Sequence, residues 1–79
     1  MAISFEMGLE GEVRLRVGHE ADLVADGTDF FVVHVNVVVG PAFFAWVSGF
    51  GSRAKIVRPA KVVEQMRSHI SAVAAGYSA

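Results

Sequence analysis

The densest group of residues able to do chemistry is basic. Arg53, Lys55, Arg58 and Lys61 place four cations within nine residues, with no acid among them. Such a run can contact an anion or a nucleic acid by neutralising a phosphate backbone. Arg58 precedes Pro59, where a helix start would add backbone N–H groups that favour anions. The same run also fits a solvated edge strand, on which lysine guards against edge-to-edge aggregation. Aromatic side chains are not interleaved with these cations, so base stacking is not expected.

Other reactive residue types give less. His19, His34 and His69 do not share a metal-ligand spacing within any one element, and no local acid–histidine cluster surrounds them. Ser68 and His69 are neighbours on an expected helix and point about 100° apart, so they do not meet as nucleophile and base. Glu10 and Glu12 are each followed four residues later by an arginine, Arg14 and Arg16, so structural ion pairing is expected rather than acid–base work. Gly49-Phe50-Gly51-Ser52 lacks the lysine and the strand-to-helix setting of a phosphate loop. No catalytic residue, metal ligand or cofactor is assigned, and the chain is read as non-enzymatic.

The elements that must position these residues come from a short, greasy chain. Its 79 residues are 53% hydrophobic, with six phenylalanines and one tryptophan. One domain over residues 1–79 is expected, with a dense core, since a domain this small buries only about 60–65% of its unfolded surface. There is no cysteine, which removes disulfide and thiolate chemistry. The first seven residues lack the basic start of a signal peptide. A cytoplasmic setting is the expectation. Charge is uneven: residues 1–40 carry seven acids against two arginines, a net of −5, while residues 41–79 carry five bases against Glu64, a net of +4.

Phe30 to Phe50 runs 21 residues without a charged side chain, long enough to raise a membrane span. Gly40-Pro41 would break such a helix. His34 and Asn36 interrupt the run, and the valines of its first half favour strand. A buried strand followed by a buried helix is expected, with no membrane partner.

Ile3–Met7 alternates as a strand. Residues 8–17 allow two readings. Val13, Leu15 and Val17 alternate with arginines, but Leu9, Val13 and Val17 also form one helix face. Helix is preferred, with Gly18 at its end. Glu20–Ala25 is the next strand, and Asp26-Gly27 signals a type I′ hairpin turn into a long strand over about Asp29–Val38. On that strand Phe31, Val33, Val35 and Val37 face the core. Phe30, Val32, His34, Asn36 and Val38 form a second face, too apolar to be left wet, and are the candidate interface. Pro41 opens a helix burying Phe43, Phe44, Trp46, Val47 and Phe50. Ala54–Arg58 is a fourth strand. The final helix after Pro59 carries Val62, Met66, Ile70 or His69, Val73 and Tyr77 at helical spacing. The fold class is therefore α+β: a ferredoxin-like β-α-β-β-α-β sandwich with an additional C-terminal helix and helices on one side of the sheet.

The segment Phe43-Phe44-Ala45-Trp46-Val47-Ser48-Gly49-Phe50-Gly51-Ser52, then Ala54-Lys55-Ile56-Val57-Arg58-Pro59 and a helix ending at Tyr77, resembles the C-terminal extension (WCX) domain that follows the WYL domain in bacterial transcription regulators. The match is best over about residues 40–78. The first half agrees only in outline.

The resemblance implies a winged-helix DNA-binding domain and an effector-sensing WYL domain as neighbours. It also implies a role for the extension in homodimerisation and in gating the response. No helix-turn-helix fits the opening residues, and the Trp-Tyr-Leu signature is absent, since Val47-Ser48 follows Trp46. The chain then reads as an excised C-terminal domain of a larger regulator, with a freestanding small protein as the alternative. The functional runner-up is a small-molecule-binding regulatory module of the ferredoxin-like amino-acid-sensor type.

Overall fold

Alternation sets the first element. In β1 (Ala2–Glu6) Ile3 and Phe5 are buried while Ser4 and Glu6 occupy the other face, the period-two pattern of a strand with one packed side. The computed structural model describes residues 1–78. After β1 come α1 (Glu10–Val17), β2 (Leu23–Asp26), β3 (Phe30–His34), α2 (Pro41–Ser48), β4 (Ala54–Arg58) and α3 (Ala60–Ala75). A single 3-10 turn, Gly51–Arg53, joins α2 to β4. The protein is thus mixed α+β, with three α-helices and one four-stranded antiparallel sheet among the described residues. The strand order is β2-β3-β1-β4.

The registers explain where the core sits. Phe5 pairs with Phe31 and Ala54, and Ile3 pairs with Val33 and Ile56. These residues share one face of the sheet, and they join a single cluster with Leu9, Val13, Phe43, Phe44, Val47, Val62 and Met66. All three helices therefore pack on the same side. Phe5 is the centre of the aromatic packing: its ring stacks on Phe31 at 5.6 Å, meets Trp46 at 5.8 Å and takes the edge of Phe50 at 5.6 Å. Such pairs add to the burial of apolar area.

Residues 8–17 resolve in favour of helix. Leu9 and Val13 are buried, whereas Leu15 is 79% exposed; a strand would have put Val13 and Leu15 on one face. The expected pairs Glu10–Arg14 and Glu12–Arg16 are not the contacts these arginines make. Glu10 accepts from the Gly8 amide instead. Arg14 reaches past the helix end to donate to the His19 carbonyl at 2.6 Å and the Ala21 carbonyl at 3.1 Å. That grip holds residues 19–21 as a loop, so β2 starts at Leu23 rather than at Glu20.

Two further differences have plain causes. The hairpin is not a two-residue type I′ turn. Asp26 pairs with Phe30, which leaves Gly27-Thr28-Asp29 as the loop, and Gly27 alone there has positive φ, at 72°. The strand expected to reach Val38 ends at His34. The Val35 amide still donates to the Met1 carbonyl at 2.9 Å, but β1 offers no further partner. Valines at 37–39 cannot make a strand without a neighbouring ladder.

The last helix also differs from its apolar pattern. Val62 and Met66 are buried, and His69 lies against the Phe44 ring at 5.5 Å. Every residue from Ile70 to Ser78 is exposed, so the helical spacing of Ile70, Val73 and Tyr77 does not mark burial, and of the alternatives Ile70 and His69 it is His69 that is half-buried. The sheet and α2 end before the helix does. A helix of this length spans about 24 Å, and its overhang accords with an elongated molecule of 41 × 23 × 22 Å. No helix among the described residues is long and apolar enough to cross a membrane.

Candidate functional site

The side of the sheet that carries no helix is ordered in cross-strand rows. Val24 of β2, Val32 of β3, Ser4 of β1 and Lys55 of β4 form the middle row. Asp26, Phe30 and Glu6 form the next, and Arg53 extends it by pairing with Glu6 at 3.8 Å. His34, Ala2 and Arg58 form the third. Phe30 and Val24 are 42% and 56% exposed. The face is thus greasy on β2 and β3 and basic along β4.

The third row is closed by a side-chain contact. Arg58 Nη2 lies 2.8 Å from His34 Nε2. The guanidinium can only donate, so Nε2 must accept, which places the imidazole proton on Nδ1. The two side chains meet across Ala2, which is fully buried although it lies on the open face. A bulge adjoins this row: Ala2 pairs with Arg58 while Ile3 pairs with Ile56, leaving Val57 as the extra, exposed residue.

The expected interface is brought together only in part. Phe30, Val32 and His34 share the open face. Asn36 and Val38 do not, because the chain has left the sheet before them. Val38 instead borders a hollow of about 360 Å³ with Val35, Val37, Pro41, Arg16 and Trp46. In that hollow the Arg16 guanidinium sits 5.6 Å from the centre of the Trp46 ring, a cation–π contact.

Of the basic segment, Arg53, Lys55 and Arg58 mark the β4 edge of the open face. Lys61 lies off the sheet, in the first turn of α3. Lys55 and Lys61 make no ion pair among the described residues.

Reasoning from sequence missed Val24, Asp26 and Glu6 as members of this face. Extending the hairpin outward from Gly27 would have set Val24 opposite Val32. Nothing in the linear sequence marks the Arg16–Trp46 contact, which joins two helices far apart in the chain.

On the helical side, Phe43 and Phe44 are buried and Trp46 and Phe50 half-buried, as core aromatics. An apolar groove of about 430 Å³ opens between α2, β4 and α3, lined by Val47, Ile56, Val63, Met66 and Ile70.

Compared with known proteins, residues 3–74 match the family model of the WCX domain. No curated protein and no solved structure matches the chain.

Proposed function

The chain belongs to the WCX-domain family, a domain of WYL-type transcription regulators, and from that premise we propose that it is a non-catalytic regulatory and oligomerisation domain. In this reading it couples effector sensing in a neighbouring WYL domain to the geometry of a DNA-binding homodimer in the cytoplasm. Its architecture is read as a ferredoxin-like sandwich extended by α3. The β-α-β-β-α-β order and the placing of β2 and β4 at the sheet edges support that description.

One observation carries the reading: an uncovered sheet face on which Val24 and Phe30 are exposed and Val32 is half-buried, beside a basic edge. Apolar surface of this kind marks an interaction site. The test is Val32→Asp, followed by analytical ultracentrifugation and interdomain crosslinking in a chain that includes the neighbouring domains. The expected outcome is loss of the dimer or of the interdomain contact with unchanged thermal unfolding. Unchanged association would remove this face from the interface.

Lys55 and Lys61 remain available to a phosphate backbone. Contact of this kind predicts oligonucleotide binding that weakens steeply with salt and is lost in the Lys55→Glu/Lys61→Glu chain.

The hollow beside Gly40-Pro41 favours a second reading, a small-molecule sensor module. Ligands of amino-acid-binding modules with this topology sit near a glycine-containing strand–helix turn, and here Arg16 and Trp46 supply one cation and one aromatic face. Thermal shift of the isolated chain against amino acids and nucleotides separates the two. A ligand bound by the chain alone supports the sensor.

A further inference from the structure

The outer edge of β4 is bare. β4 pairs with β1 on one side only. Beyond that ladder, the backbone of Ala54–Arg58 makes no hydrogen bond among the described residues. A row of unpaired amides and carbonyls is a template for another strand. The apolar groove between α2, β4 and α3 runs along this same edge, where Ala54, Lys55 and Ile56 form one wall and Val63, Met66 and Ile70 of α3 another. β2 is the other outermost strand, but none of its residues lines either hollow described above. A free edge and an apolar groove therefore coincide at β4.

We propose that this edge takes an extended segment of a partner protein as a fifth strand, with an aliphatic–acidic–aliphatic sequence at its centre. In such a strand the residues opposite Ala54 and Ile56 fall on the helical side, where the groove receives aliphatic side chains. The residue between them lies opposite Lys55, on the open face. Lys55 is exposed and makes no ion pair among the described residues, so an acid fits there. Main-chain hydrogen bonds supply affinity and the alternate side chains supply selectivity, as in other strand-addition complexes. The bulge at Val57 limits regular pairing to the Ala54–Ile56 stretch, which is the stretch that walls the groove.

The edges of a second copy do not match this site. β4 against β4 would gather Arg53, Lys55 and Arg58 of both copies, and like charges facing each other across strands are destabilising. β2 with Leu23 and Ala25 over the groove would set Val24 opposite Lys55. Shifted to set Asp26 there, it would leave only Ala25 and Gly27 over the groove, too small to fill it. The partner is thus a different chain, and the site stands whether or not the open face is an interface.

The experiment is an NMR titration of the 79-residue chain with the acetylated, amidated peptide Glu-Leu-Glu-Leu-Glu up to about 1 mM. Shifts are expected at Ala54–Ile56, Met66 and Ile70 and not at Val24 or Phe30, with slowed amide exchange in β4. Lys55→Glu and Ile70→Glu, both at exposed positions, are each expected to weaken binding about tenfold with circular dichroism unchanged. The Lys55→Glu chain should prefer Lys-Leu-Lys-Leu-Lys. A peptide N-methylated at its three central residues should not bind. Equal binding of that peptide would overturn strand addition, and equal binding of Lys-Leu-Lys-Leu-Lys to the parent would overturn the acidic preference. Shifts confined to the open face, or no binding at the highest concentration, would overturn the site itself.

Discussion

Phe30 and Phe31 are neighbours in sequence and lie on opposite sides of one strand, 42% and 1% exposed respectively. Phe31 stacks on Phe5 inside a closed aromatic group. Phe30 sits in a row with Asp26 and Glu6 and faces water. The same strands thus build two surfaces with different duties. The helical side sets stability, since each side chain there is surrounded. The bare side leaves Val24 and Phe30 exposed and therefore contributes less to folding.

The contrast is broken or sharpened by measurement. Phe31→Ala should cost about 3–5 kcal/mol in urea unfolding, the range for large buried aromatics. Phe30→Ala should cost less than about 1 kcal/mol; equal losses would erase the distinction between the faces. Gly27→Ala tests the hairpin that assigns each residue its side. No atom stands within 4 Å of the added methyl group, so the expected loss of roughly 1–2 kcal/mol is conformational, from positive φ. Arg14→Ala should cost about 1 kcal/mol by releasing two carbonyls and should raise amide exchange around Leu23. Tyr77→Ser, which touches neither face, should shift stability by no more than about 0.5 kcal/mol.

Much of this arrangement was legible in the residues themselves. The alternation at Ile3–Met7, the punctuation by Gly18, Gly40-Pro41 and Pro59, and the strand Ala54–Arg58 all report local preferences that the packing does not oppose. The errors arose where a distant neighbour decides. Val37 and Val38 are good strand formers with no strand beside them. Ile70, Val73 and Tyr77 repeat like core residues, but no layer reaches them. Arg14 and Arg16 have acids at the right spacing, yet one finds two carbonyls and the other a tryptophan ring. Of the candidate face, Phe30, Val32 and His34 could be read from one strand, while Val24, Asp26 and Glu6 needed the pairing of three. The basic segment was visible as charge, but its division between the sheet edge and α3 was not.

The overhang of α3 has a consequence in time. Up to His69 the helix is clamped against the domain, so its amides open only when that packing yields. From Ile70 onward every residue is exposed, and fraying of the helix end governs the exchange of these amides with solvent. One continuous helix therefore carries a fast clock and a slow one. Any body that settles on its far turns would announce itself by slowing the fast clock to the pace of the other.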